Sequence, residues 1–183
     1  MKNTLDIASE IHSFKSFEYT AREHHVDLYR KPLDILQVNI GKLCNQACLH
    51  CHVEAGPKRT EIMERVTMDR LLELLETGER VQTIDITGGA PEMNPHFKYF
   101  VTELRKMDRE VIDRCNLTVL ATPSQQGTAE FLAREKVQII ASLPCYTKDN
   151  VEKQRGNGVF NASIDALHTL NRLGYGKEGT GLK

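Results

Sequence analysis

From Asp34 onward the chain repeats one pattern: a short apolar run, a polar loop, and a segment whose apolar residues recur at helical spacing. Alternation of this kind marks β/α units around a parallel sheet, because each strand is covered by the helix that carries the chain back to start the next. Four units are expected. The first strand is read at Ile35–Ile40, after which Thr67 caps a helix bearing Met68, Leu71, Leu72 and Leu75 and ending at Gly78. The second, Val81–Thr87, runs into "GGAPEMNP", where Asn94 as cap and Pro95 at the first helical position start a helix that turns Phe97, Phe100, Val101 and Leu104 inward. A third strand is expected at Leu117–Ala121, with a short helix near Ala129–Arg134. A fourth, Val137–Leu143, leads through a long loop to a helix that Asn161 caps and that ends near Gly174. Ahead of all this, Ile11, Phe14, Tyr19 and Val26 trace a patchy helical period, so residues 1–31 are read as an N-terminal helical extension.

Parallel strands linked by helices either close or spread open, and a complete eightfold barrel needs roughly 250 residues. The expected fold is therefore α/β over residues 32–183, with about four β/α units that cannot close a barrel by themselves and form either an incomplete (β/α) TIM-like barrel or an open sheet. The final "GTGLK" reads as the approach to a fifth strand, so the chain is expected to stop in mid-domain.

Composition narrows the function. At 183 residues, with 40% hydrophobic and 27% charged, the chain is globular in character, and a net charge of -1 without a basic run argues against nucleic acid as a partner. No apolar stretch is long enough for a membrane span or a signal peptide, which gives a cytoplasmic expectation. Five cysteines, three of them clustered, fit a metal or redox site in a reducing compartment better than a disulfide framework.

The cluster is the run "IGKLCNQACLHCHVEAGP", in which Cys44, Cys48 and Cys51 stand at the spacing C-x-x-x-C-x-x-C directly after the first strand, at the carboxyl end where parallel α/β folds place their sites. Three thiolates on one tight loop can hold three corners of a [4Fe-4S] cube and leave the fourth iron open to a small chelating molecule. The alternative is a zinc site completed by His50 or His52, although zinc loops commonly add a second, distant cysteine pair that is missing here. His50 and His52 also read simply as loop histidines bonded to backbone or water. In "DITGGAPEM", Gly88 and Gly89 let the backbone approach a ligand, or else form an ordinary strand-to-helix turn. Ser142 and Arg155 read either as pocket groups or as a satisfied strand-end serine and a solvated arginine. Cys145, just past the fourth strand, is a soft thiol at the pocket end; Cys115, placed before the third strand, falls at the opposite end and receives no chemistry.

The cysteine spacing is that of the radical S-adenosylmethionine superfamily. Beyond it, "LQVNIGKLCNQACLHCHVEAGPKRTEIM", "IDITGGAPEMNPHF", "DRCNLTVLATPSQ", "IIASLPCYTKDNVEKQRGNGVF" and "ALHTLNRLGYGKEGTGLK" resemble the arsenosugar-biosynthesis radical SAM proteins over roughly residues 35–183. The resemblance implies a barrel of the radical SAM type, a [4Fe-4S] cluster on Cys44, Cys48 and Cys51, and S-adenosylmethionine as cofactor. It places His50 against the adenine, Gly88, Gly89, Ala90 and Glu92 in the segment that meets the amino group, Ser142 at the ribose and Arg155 at the carboxylate. It implies reductive cleavage to a 5'-deoxyadenosyl radical that joins trivalent dimethylated arsenic, with a flavodoxin or ferredoxin as electron donor; given that substrate, Cys145 reads either as a soft thiolate contact to the arsenic or as a structural or chance exposed cysteine. A radical enzyme acting on another small molecule or a peptide, a non-catalytic iron-sulfur module and an inactive truncation product are the competing readings.

Overall fold

The computed structural model describes residues 15–29, 31–78 and 80–183, which places Ile11 and Phe14 of the expected extension outside the described residues. The chain divides into two units, Met1–Pro32 and Leu33–Lys183. In the first, helix α1 (Phe17–Glu23) is capped by Ser16, whose hydroxyl accepts from the Tyr19 amide, and Lys15 pairs with Glu23 at 2.8 Å.

The second unit is a parallel sheet in the order β1 (Ile35–Asn39), β2 (Thr83–Thr87), β3 (Glu110–Asp113), β4 (Gln138–Ile139), open rather than closed. Helices α2 (Arg65–Thr77), α3 (Phe97–Lys106) and α4 (Thr128–Arg134) connect successive strands. Sequential strand order with crossover helices is how a TIM-like barrel begins. The register aligns Leu36 with Ile84 and Ile84 with Val111, so apolar residues share one face of the sheet. Onto that face pack Met68, Leu72 and Leu75 of α2, Phe97, Phe100, Val101 and Leu104 of α3, and Phe131 and Leu132 of α4. The opposite face carries Gln37, Asn39, Asp85 and Thr87, which also pair in register. One face is thus a core and the other a polar floor.

Several boundaries differ from the expectation. The third strand is not Leu117–Ala121 but Glu110–Asp113; Leu117–Ala121 is a 3-10 helix with Leu117, Thr118 and Val119 buried. The acid Asp113 stands at a fully buried strand position and breaks the apolar run by which β3 would be read. Cys115 consequently follows the third strand instead of preceding it, and lies at the carboxyl end of the sheet. Strand β4 is two residues long, though amides of Ile140 and Ser142 still donate to Asp113 and Cys115 carbonyls at 2.9 and 3.1 Å. On the other edge of β4 the Ile139 amide donates to the Lys183 carbonyl, and residues 181–183 form no strand.

The expected long loop contains helix α5 (Lys148–Arg155), followed by α6 (Val159–Leu173), whose cap is Gly158 rather than Asn161. With Val151 as its buried residue, α5 has almost no apolar face; Thr147 stands at its start, Asp149 in its first turn and Lys153 and Arg155 in its last, matching the helix dipole. Helix α2 begins at Arg65 rather than after Thr67, and α3 begins at Phe97 because Asn94 does different work. The Asn94 carboxamide oxygen accepts from the His96 amide at 2.8 Å, and its Nδ2 donates to the carbonyls of Ile40 and Met63 at 2.9 and 3.0 Å. Asn94→Ala removes three hydrogen bonds from a buried joint between β1, the segment before α2 and the start of α3. At roughly 1 kcal/mol each it should cost about 3 kcal/mol, read as a lower urea midpoint with an unchanged slope.

Candidate functional site

The cysteine loop leaves β1 and is closed at its base by backbone pairs: the Cys44 amide donates to the Gly56 carbonyl and the Gly56 amide to Lys42, at 3.2 and 3.0 Å. The next turn is pressed against this base. Gly89 and Ala90 amides donate to the carbonyls of Gly41 and Leu43, each at 2.9 Å. Gly88 has φ +150, and a Cβ there would lie 2.6 Å from the Gly41 oxygen; one on Gly89 would lie 2.5 Å from the Leu43 oxygen. Both glycines are therefore required by the close packing of two loops, and they line the space above it.

That space is a cleft of about 270 Å³. Cys44, Cys48 and Cys51 line it together with His50, Gly88, Gly89, Ser142 and Arg155. The Leu49 amide donates to the Gln154 carbonyl at 3.1 Å, which ties the tip of the cysteine loop to the end of α5 and sets Arg155 beside Cys48. The Arg155 Nε is buried without a partner among the described residues. His52 lines the cleft as well, and among the lining residues that the sequence reading missed are the polar side chains of Gln46, Thr87, Arg114 and Asn116.

The sulfurs sit in a donor-rich frame. Asn116 Nδ2 and the Gln46 amide approach Cys44 Sγ at 3.3 and 3.4 Å, and the Ala55 amide donates to Cys51 Sγ at 3.2 Å. Behind them Thr118 Oγ1 accepts from Gln46 Nε2 and Asn45 Nδ2 and donates to Asn116 Oδ1. Burial raises the thiols of Cys44 and Cys48, with the Arg155 charge opposing it at Cys48. Such thiols ionise when a bound metal replaces their protons.

A single tetrahedral zinc would hold its sulfurs about 3.8 Å apart, given Zn–S distances of ~2.3 Å. Among the described residues, the one set of metal-ligating side chains with atoms all within 4.8 Å of one another is Glu92, Asp113 and Cys115, not the cysteine loop. The three loop sulfurs line one cleft, which lets each be offered to a different iron of a cube. The residues present fit the cluster.

Three expected site residues are placed elsewhere. Ala90 is buried and packs with Cys44 and Val119 below the cleft. Glu92 lies in a 3-10 turn, Pro91–Met93, that aims it into the protein, where it meets Asp113 and Cys115. Cys145 is outside the cleft, its sulfur 3.3 Å from Thr147 Oγ1 and 3.6 Å from Asn150 Nδ2.

On the polar floor, Arg114 grips Asp85 through Nε at 2.9 and 3.1 Å and Nη2 at 2.8 Å, and Gln37 Nε2 adds 2.9 Å. Burial pushes the Asp85 carboxyl up, but these hydrogen bonds and the guanidinium charge outweigh it and hold it below the usual carboxylate range.

The buried trio behaves oppositely. Burial raises Glu92 to about 7, and burial together with the neighbouring Glu92 charge raises Asp113 well above an ordinary carboxyl. No cation faces them among the described residues, and their carboxylate oxygens lack hydrogen-bond partners, so burial favours the proton-bearing form of both acids. In the unfolded chain both acids ionise near pH 4. Between there and about pH 7 the folded state binds more protons, so the contribution of these two acids to stability is full below pH 4 and is lost as pH rises, at up to ~1.4 kcal/mol per pH unit for each proton. Urea melts from pH 4.5 to 7.5 should show this decline, and Glu92→Gln should flatten it.

A β/α sheet whose first carboxyl-end loop presents three cysteines to a cleft defines a class of cluster-binding α/β fold. A family model for the Radical SAM superfamily matches residues 38–182, and the chain belongs to that superfamily. Among curated proteins it is similar to a GTP 3',8-cyclase of Helicobacter pylori, 30% identical over 88 residues, 47% of this chain and 27% of that protein. It is also similar to a probable GTP 3',8-cyclase of Metallosphaera sedula, 28% identical over 153 residues, 82% of this chain and 46% of that protein. The chain thus spans less than half the length of these relatives. Among solved structures, Streptococcus suis SuiB bound to S-adenosylmethionine matches with TM-score 0.64 at 16% identity, covering 85% of this chain and 34% of SuiB. Native anSMEcpe with bound AdoMet matches with TM-score 0.62 at 18% identity, covering 78% of this chain and 41% of that one. Both share the fold. No helix of the described residues is long and apolar enough to cross a membrane.

Proposed function

We propose that this protein is a radical SAM enzyme that holds a [4Fe-4S] cluster on Cys44, Cys48 and Cys51 and cleaves S-adenosylmethionine reductively, in the cytoplasm, with a flavodoxin or ferredoxin as electron donor. The observation that carries the reading is convergence: three sulfurs, a glycine pair, Ser142 and Arg155 come from four separate segments and line one cleft. Membership of the superfamily supports it. When bound, the cluster supplies the electron that breaks the sulfonium C–S bond.

This chain's residues orient and shield. The backbone at Gly88 and Gly89 offers acceptors for the ammonium of the cofactor, and the guanidinium of Arg155, which lines the cleft beside Cys48, meets its carboxylate. Ser142 offers a hydroxyl to the ribose, and the His50 ring a planar face to the adenine. Fixing the sulfonium beside the open iron is the main catalytic contribution such a scaffold makes.

For the substrate, the resemblance to arsenosugar-biosynthesis proteins favours trivalent dimethylated arsenic, joined to the 5'-carbon of the deoxyadenosyl group. A second reading, another small molecule bearing an anionic group, is favoured by the GTP 3',8-cyclase relatives and by the guanidinium of Arg114 in the cleft.

The test is anaerobic reconstitution with iron and sulfide, then assay under dithionite for 5'-deoxyadenosine and, with dimethylarsenic added, for an arsenic-containing nucleoside by mass spectrometry. Cys48→Ala should lose the cluster absorbance and all 5'-deoxyadenosine. Arg155→Ala should keep its iron and bind S-adenosylmethionine about tenfold more weakly, the scale of one charge-assisted bond. A reconstituted protein that carries zinc, or a cluster whose spectrum ignores S-adenosylmethionine, rules the proposal out.

A further inference from the structure

The polar floor holds a side chain for which cofactor binding leaves no task. Arg114 follows β3, and its amide donates to the Ile86 carbonyl at 3.0 Å, so the strand alternation continues and turns Arg114 away from buried Asp113 toward the cleft. Asp85 on β2 engages its Nε and Nη2 through three contacts, and Gln37 on β1 braces Asp85 in turn. The three residues span three adjacent strands.

This is unlike the other ion pairs of the sheet unit. Arg70–Glu73 joins two side chains that are 66% and 62% exposed, and such pairs contribute little. In Arg114–Asp85 the acid side chain is 8% exposed and the arginine 42%. A buried carboxylate grips one edge of the guanidinium and fixes its plane. Of five N–H donors, Asp85 takes those on Nε and one on Nη2; both hydrogens of Nη1 and the second of Nη2 have no protein acceptor among the described residues. A guanidinium held from behind, with its free edge in a cleft, matches the paired oxygens of a carboxylate or phosphate.

We propose that Arg114, oriented by Asp85 and Gln37, anchors an anionic oxygen group, carboxylate or phosphate, on the substrate. The proposal rests on the radical SAM reading and adds the substrate class. Arg155, beside Cys48, serves the cofactor; Arg114, just past the end of β3 in the same cleft, serves the molecule that reacts with it. A bare dimethylarsenic centre offers no such group, so under the arsenic reading the anion belongs to the molecule that delivers it.

The test uses the full chain reconstituted anaerobically. Calorimetric titrations with S-adenosylmethionine come first, then titrations with inorganic pyrophosphate and with succinate, each with and without the cofactor. At least one anion should bind the unaltered chain; Arg114→Ala should weaken it tenfold or more while changing cofactor affinity less than threefold. Arg114→Lys keeps the charge without the fork and should recover only part of the loss. Asp85→Asn, which keeps the arginine but loosens its plane, should weaken the anion severalfold. Pyrophosphate alone binding points to a phosphate-bearing substrate, succinate alone to a carboxylate. The proposal is overturned if neither anion binds, if Arg114→Ala and Arg114→Gln, folded by circular dichroism and iron content, bind it unchanged, or if Arg114→Ala loses cofactor affinity as Arg155→Ala does. Absence of cofactor binding to the unaltered chain overturns the enzyme reading instead, and the anion titrations without cofactor still decide the role of Arg114.

Discussion

Two loops at the carboxyl ends of β1 and β2 are in backbone contact, and the site depends on that contact. Gly41 and Leu43 carbonyls receive the amides of Gly89 and Ala90, and Gly88 and Gly89 have no room for a side-chain carbon. Because the strands are parallel and in register, both loops emerge at the same level, and the contact fixes where the cysteine loop begins. A side chain at either glycine would push the base of the cysteine loop away from the turn that forms the cleft's other wall. Local sterics, rather than any bond to a ligand, therefore account for the glycine pair first.

Two buried acids show how the sheet separates its faces. Asp85 and Asp113 stand on neighbouring strands at positions that face opposite ways, since Asp85 pairs with Ile112 and Asp113 with Ile86. On the inner face, Asp85 meets Arg114 and Gln37 and is held ionised. On the helix-covered face, Asp113 meets Glu92 and Cys115, and among the described residues no cation is near enough to offset the loss of water, so burial favours the proton-bearing form. The same residue type thus supplies an orienting charge to the cleft in one case and a proton-bearing tie to Glu92 and Cys115 in the other. That tie joins the turn after Gly89 to the segment carrying Arg114 and Asn116.

The strand–helix alternation was legible because it is a matter of short-range periodicity, and Met68, Leu72, Phe97, Phe100 and Leu104 are all core residues as the spacing implied. The cysteine loop was legible for a similar reason: its chemistry is local in sequence. What escaped notice depends on long-range pairing. Asp113 at a core position disguises β3, and a strand read at Leu117–Ala121 puts Arg114 and Asn116 at the wrong end of the sheet. Glu92 escaped because a 3-10 turn, which periodicity does not register, rotates it inward. Helix α5 escaped because its signals are end charges rather than an apolar stripe.

The last of these elements matters beyond its size. Val151 alone anchors α5 by burial, yet its final turn accepts the Leu49 amide and places Arg155 beside Cys48. The tip of the cysteine loop is therefore held from two sides, by backbone pairing at its base and by a weakly packed helix at its end. Cys44, by contrast, is buried and fixed by Asn116 within the Asn45–Gln46–Thr118 network. Since few buried apolar contacts secure α5, the Cys48 side of the cleft is the side that opens at least free-energy cost. Under the proposed ligation, a loop rigid at Cys44 and yielding near Cys48 would admit a bulky cluster without unfolding the sheet, and a cluster joining all three sulfurs would fix the yielding side itself.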